Sequence, residues 1–121
     1  MIRVLTERDY HSVKLIYMGA FDVSEHPMTD LHDSWAIRSE ENSYGIFGLE
    51  GMIGFAICSF TPHKSNMYLD YIAIDQCFRG LGYGSVLLNY LIQKCKSEHR
   101  SLHLFPDSFE LTNWYKKIRV L

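Results

Sequence analysis

The residues best suited to chemistry lie between positions 67 and 95. Arg79-Gly80-Leu81-Gly82-Tyr83-Gly84-Ser85 carries three glycines at alternate positions, so its backbone N–H groups are left uncovered by side chains. An apolar-periodic run from Val86 to Cys95 follows directly, which makes this turn the opening of a helix. Uncovered amides at a helix N-terminus form a ready anion site, and Arg79 adds a fixed positive charge beside it. The chemistry to expect is the holding of a phosphate-bearing ligand. Just upstream, Met67 to Ile74 reads as a strand on which Tyr68, Asp70 and Ile72 share one face by the two-residue period. A carboxylate near the middle of that face can accept a proton directly or through water.

Two related glycine turns do not fit. A P-loop ends in Gly-Lys-Ser/Thr, and no lysine stands between Lys64 and Lys94. A dinucleotide fingerprint needs glycine where Ser85 stands, and a doubly wound sheet longer than this chain can supply.

The elements that must position these residues can be read along the chain. Ile2 to Leu5 is a short strand. Thr6 is the N-cap of a helix with Asp9 at its N3 position. Tyr10, Val13, Tyr17, Ala20 and Phe21 then fall on one helical face, with Ile16 close by. Residues 22–42 read as a loop plus a short helix around Thr29 to Ile37. Ser43 to Leu49 and Met52 to Phe60 form a hairpin closed at Glu50-Gly51. A second turn over Thr61 to Asn66 leads into the strand at 67–74. After the glycines, Leu87, Leu88, Leu91, Ile92 and Cys95 form the buried helix face. Ser101 to Phe105 is then a strand parallel to 67–74, the helix between them supplying the crossover. Pro106-Asp107-Ser108 ends it, and Glu110 to Lys117 reads as a last short helix. The sum is one domain over 1–121, a mixed α/β fold built from a meander and one βαβ unit.

The pattern Arg-x-x-Gly-x-Gly, met by Arg79, Gly82 and Gly84, resembles the GNAT superfamily of N-acetyltransferases, in which this segment wraps the pyrophosphate of acetyl-coenzyme A. The resemblance is carried by residues 67–95, extends to 101–117, and is only architectural over 1–66. It implies a GNAT-like α/β fold: a mixed, mostly antiparallel sheet with a central βαβ unit, shortened at its C-terminus. It implies acetyl-coenzyme A as cosubstrate, held by Arg79, Gly80, Leu81, Gly82, Tyr83, Gly84 and Ser85. The family's strand splays from its parallel neighbour near Ile72-Ala73-Ile74, whose freed main-chain groups hold the pantetheine and polarise the acetyl carbonyl. Ser108 stands where the family often has a coenzyme-holding asparagine. Arg119 and Val120 replace a usual Gly-Phe, and the chain stops at Leu121.

Acetyl transfer to an amine sets three tasks. An amine with a pKa of about 10.4 must lose a proton, which costs roughly 4–5 kcal/mol near pH 7. Asp70 is the candidate, as base or as amine-binding group. Tyr68-Leu69-Asp70 also lines up with the Tyr-Leu-Glu segment of the polyamine N-acetyltransferases. The oxyanion falls to the backbone at 72–74. The leaving thiolate, with a thiol pKa of about 8.5, is assigned by resemblance to Tyr115 as general acid, in the segment Leu111 to Lys117. The expected acceptor is a small-molecule or peptide amine. The alternative is a degenerate GNAT-like module that binds coenzyme A or a partner chain without turnover.

Composition bounds the rest. The chain has 121 residues, 47% hydrophobic and 21% charged, which suits a soluble globular domain. A net charge of −2 argues against general nucleic-acid binding. Three cysteines, Cys58, Cys77 and Cys95, fit neither a disulfide framework nor a zinc site and point to a reduced, cytoplasmic setting. Charged residues interrupt the N-terminus, so no signal peptide is expected, and no apolar run reaches membrane-spanning length. His26, Asp30, His32 and Asp33 match no metal motif and read as a solvated loop or acceptor-site lining; no metal is expected. His103 is a half-buried strand histidine. The strand at 101–105, left as an open edge, is expected to be covered by a second copy in a homodimer or to stay exposed.

Overall fold

One sheet with an apolar layer on each face organises the chain. The computed structural model describes residues 1–61 and 65–104. Phe105, Ser108, Tyr115 and the helix expected over 110–117 lie outside the described residues, as does the middle of the turn after Thr61. Among the described residues the strands are β1 (Ile2–Val4), β2 (Tyr44–Gly48), β3 (Gly51–Phe60), β4 (Asn66–Ile74) and β5 (Ser101–Leu104), adjacent in that order. The pairs β1–β2, β2–β3 and β3–β4 are antiparallel and β4–β5 is parallel. The expected meander and βαβ unit are therefore present, with the βαβ unit at the β4–β5 end of the described sheet.

The alternation along β3 feeds both layers. Phe55 and Ile57 point to α1 (Tyr10–Ala20) and α2 (Met28–Ile37), where they join Val13, Ile16, Tyr17, Leu31 and Trp35. Ala56 and Cys58 point to α3 (Tyr83–Ser97), against Leu87, Leu88, Leu91 and Cys95. A strand buried on both sides reads as a continuous apolar run, which is why Met52 to Phe60 shows little polar alternation. The apolar stripes foreseen for α1 and α3 are the ones in the core.

The α1 entry departs slightly from expectation. Glu7–Asp9 forms a 3-10 turn before the α-helix begins. Asp9 reaches back as an N3 carboxylate should: its Oδ2 accepts the Thr6 N–H at 2.8 Å and the Thr6 hydroxyl at 3.2 Å. Arg3 of β1 donates to both carboxylate oxygens at 2.8 and 2.9 Å, tying the first strand to the first helix. In the β2–β3 hairpin, Gly51 opens β3 with φ +127°, a value an L side chain rarely adopts.

Candidate functional site

The glycine turn leaves the sheet from the end of β4 through a 3-10 turn at Gln76–Phe78. Gly80 and Gly82 have φ of +78° and +87°, so both positions need glycine for conformation. Among the described residues a Cβ on either would meet nothing within 4 Å, the open space that a ligand-holding loop requires. Gly82 is the N-cap of α3, and the helix ladder starts with Val86 N–H donating to the Gly82 carbonyl at 3.1 Å. The amides of Tyr83 and Gly84 precede that ladder, with no intrahelical acceptor. Gly84 is buried, Leu81 is exposed, and Tyr83 is half-buried edge-on to Phe78. Ser85 is half-buried in the first turn. These residues fit a diphosphate: open glycines, helix-start amides and a nearby guanidinium.

Arg79 is exposed, but its side chain is turned back toward the sheet. Its Nε donates to the Ile74 carbonyl at 3.1 Å and one Nη to the Gly19 carbonyl at 3.5 Å. The positive charge thus lies between the end of β4 and the C-terminus of α1, where the helix dipole favours it.

Ile72, Ala73 and Ile74 pair with Ala56, Phe55 and Gly54 of β3. Asp75 N–H donates to the Ile53 carbonyl at 2.8 Å. Peptide groups alternate sides along an antiparallel pair, so those of Ala73 are directed to β3 and those of Ile72 and Ile74 to the β5 side. The Ile74 carbonyl is the one that Arg79 reaches. The described β4–β5 pairing runs from Asn66↔Ser101 to Leu69↔Leu104, and β4 continues past it.

Asp70 occupies a bulge. Ile57 pairs with Tyr71 and the next residue, Cys58, pairs with Leu69, so Asp70 is the extra residue on β4. A bulge resets the two-residue alternation, and this corrects one expectation. Ile72 does not share a face with Tyr68 and Asp70; it packs with Leu69 and Met67 in the α3 layer. Tyr71 is placed on the α1 face, with Ala73. Burial pushes the Asp70 carboxyl above its ordinary value, opposed by the Ser59 hydroxyl. Asp70 Oδ2 is buried with no hydrogen-bond partner among the described residues.

Several neighbours take roles that the sequence reading did not assign to them, and Tyr71 and Gly54 were not singled out at all. Tyr17 is fully buried, and its hydroxyl donates to the His26 carbonyl at 2.9 Å, pinning the loop between α1 and α2. Burial raises its pKa, and burial also raises that of Tyr71. The Tyr71 ring lies edge-on to Tyr17 at 5.2 Å and to Phe21 at 5.4 Å, and Phe21 meets His26 at 5.4 Å. The adaptation of β3 to β4 rests on Gly54, for which an isolated strand glycine was the available cue. His103 is exposed, its ring 5.2 Å from that of Tyr68, its register partner. His32 packs against Tyr10, and among the described residues no group of three or more His, Cys, Asp or Glu could hold a metal ion. No helix among them is long and apolar enough to cross a membrane.

The model of the family described as "Acetyltransferase (GNAT) family" matches residues 8–119. No curated protein sequence matches the chain significantly. Solved structures with the same fold include Ard1 from Thermoplasma volcanium, 24% identical over 97% of this chain and 79% of that one, with a TM-score of 0.72. Naa50 of Arabidopsis thaliana, solved with the bisubstrate analogue CoA-Ac-MVNAL, is 18% identical over 97% of this chain and 80% of its own, with a TM-score of 0.76. The ribosomal-protein-S18-alanine N-acetyltransferase from Escherichia coli is 24% identical over 86% of this chain and 64% of its own, with a TM-score of 0.68. At these identities the likeness is one of fold.

Proposed function

The chain belongs to the acetyltransferase (GNAT) family, whose members are acetyl-coenzyme A-dependent N-acetyltransferases, and from that premise we propose that it acetylates a primary amine by direct attack in a ternary complex. When bound, acetyl-coenzyme A supplies the acetyl group as a thioester. The open, positive-φ glycines and the helix-start amides support a diphosphate grip over Arg79, Gly80, Leu81, Gly82, Tyr83, Gly84 and Ser85. The outward peptide groups of Ile72 and Ile74 serve as main-chain partners for pantetheine and carbonyl; Ala73 holds the strand to β3. Ser108 adds a hydroxyl to the coenzyme side.

The observation that carries the reading is the buried Asp70 oxygen that no group among the described residues satisfies. A buried carboxylate oxygen without a partner is costly, and an amine N–H satisfies it. Asp70 orients the amine and takes its proton. The raised carboxyl pKa narrows the gap to the amine and so favours that transfer. Tyr115 holds a proton for the departing sulfur. Diamines and polyamines are the first acceptors to test, from the Tyr68-Leu69-Asp70 likeness. Peptide N-termini come next, given the peptide in the Naa50 complex and the protein substrate in the E. coli enzyme's name. We also infer a cytoplasmic site of action, in keeping with three free cysteines, and a homodimer joined along β5, which sedimentation would test.

The test is acetyl-coenzyme A turnover by the full chain across amine classes, read as free thiol. Asp70→Asn and Tyr115→Phe are each expected to lose on the order of 100-fold in rate while keeping coenzyme affinity. Coenzyme binding without turnover on any amine would make the protein a binding module instead. Absence of coenzyme binding would remove the reading altogether.

A further inference from the structure

We propose that Gln76 is a positioning residue for the diphosphate grip, a role that rests on the coenzyme reading above. The segment from Asp75 to Gly82 must present its amides in a fixed direction although most of it is exposed. One side of it is held from within. Cys77 N–H donates to Asp75 Oδ1 at 2.9 Å, and Phe78 N–H to the Asp75 carbonyl at 2.9 Å. Phe78 and Tyr83 pack against the α3-side core.

The other side is held by two donors that converge on one carbonyl. Gln76 Nε2 donates to the Gly19 carbonyl at 2.9 Å, and Arg79 reaches the same oxygen at 3.5 Å. Gly19 lies in the last turn of α1, where carbonyls lack intrahelical donors, so the brace completes α1 and fixes the turn together. The two donors differ in what an anion does to them. A guanidinium is drawn to a diphosphate by a charge-assisted bond stronger than one to a neutral carbonyl, and Arg79 makes the longer contact to Gly19. A neutral amide has no such alternative. Gln76 is then the tie that keeps the turn registered on α1 while Arg79 turns to the ligand.

The experiment is calorimetric titration of the full chain with coenzyme A, beside thermal melts without it. Gln76→Met keeps length and neutrality but has no N–H. It is expected to weaken coenzyme A binding about three- to ten-fold, the scale of one hydrogen bond, and to lower the ligand-free melting temperature only slightly, because Arg79 still reaches the Gly19 carbonyl when no ligand draws it away. Gln76→Glu should weaken it at least as much, and more at low salt. In turnover, the KM for acetyl-coenzyme A should rise while kcat and the amine KM stay put. Wild-type affinity in Gln76→Met would overturn the proposal, as would a kcat or an amine KM that changes along with the KM for acetyl-coenzyme A. If the wild-type protein itself binds no coenzyme A, the underlying reading fails first, and that result is distinct from either.

Discussion

A carbon added to Gly54 would fall 2.7 Å from the carbonyl oxygen of Ala73. Gly54 pairs with Ile74, and the neighbouring Phe55 with Ala73, so β3 meets the end of β4 where no side chain can stand. The Ile74 side chain in the same space can rotate away, but the carbonyl can yield only if β4 moves. Gly54→Ala is therefore expected to cost about 1–3 kcal/mol by overpacking and to weaken coenzyme A binding, because the displaced stretch is the one assigned to the coenzyme. Melts and titrations check both; unchanged stability would mean that the strands separate freely at this pair.

Asp70→Asn separates function from stability. The folded-state pKa of Asp70 is raised by burial. Between the ordinary carboxylate value of about 3.9 and that raised value, the folded protein keeps a proton that the unfolded chain has released. Stability therefore falls as pH rises through this window and stays lower above it. The amide removes the charge, so the variant should be as stable as the wild type or more so at pH 7, by about 1 kcal/mol. That advantage should vanish below about pH 4. Acetyl transfer should fall nonetheless. A variant less stable at pH 7 would show that the carboxylate is already satisfied.

The way the site was and was not legible follows from the range of the interactions involved. The glycine turn, the α3 face and the Asp9 reach-back are local, and local spacing suffices to read them. The bulge at Asp70 is not local. It exists because β3 and β4 pair with one residue to spare, and that mismatch is visible only with both strands side by side. A strict two-residue alternation therefore put Ile72 on the wrong face. Arg79 was legible as a charge beside an anion site, but its attachment to Gly19 and Ile74 depends on where α1 ends. Tyr71 and Gly54 gain their roles from neighbours far away in sequence. The apolar runs at 44–60 named their strands but not the close approach inside them.

The Arg3–Asp9 pair should give the opposite pH slope to Asp70. The Arg3 guanidinium beside Asp9 holds that carboxyl below its ordinary value, with further help from the Thr6 N–H and hydroxyl. Its contribution is therefore complete above the ordinary carboxylate pKa and is lost as pH falls through the lowered folded value. Arg3 is partly exposed, so its Coulomb share is screened and the hydrogen bonds carry most of the effect. Asp9→Ala is expected to cost about 1–2 kcal/mol at pH 7. The gap to wild type should narrow as the pH falls below the ordinary carboxylate value of about 3.9, as acid melts of both proteins would show. A gap that persists unchanged in acid would assign the loss to packing.

Gly82 tests whether the turn is built for a ligand or only for its own shape. With φ +87° and nothing among the described residues within 4 Å of an added carbon, the cost of Gly82→Ala in the free protein is conformational, about 1–2 kcal/mol for a left-handed L-residue. Asparagine tolerates that conformation better, its short side chain bonding locally, so Gly82→Asn should recover much of the stability. It should not recover coenzyme A affinity, because its side chain occupies the open space that the diphosphate needs. The expected pattern is that both variants bind coenzyme A at least ten-fold more weakly, on the scale of one charge-assisted hydrogen bond, while only alanine melts early. If Gly82→Asn restores affinity together with stability, the glycine serves turn geometry alone and the anion must be held elsewhere.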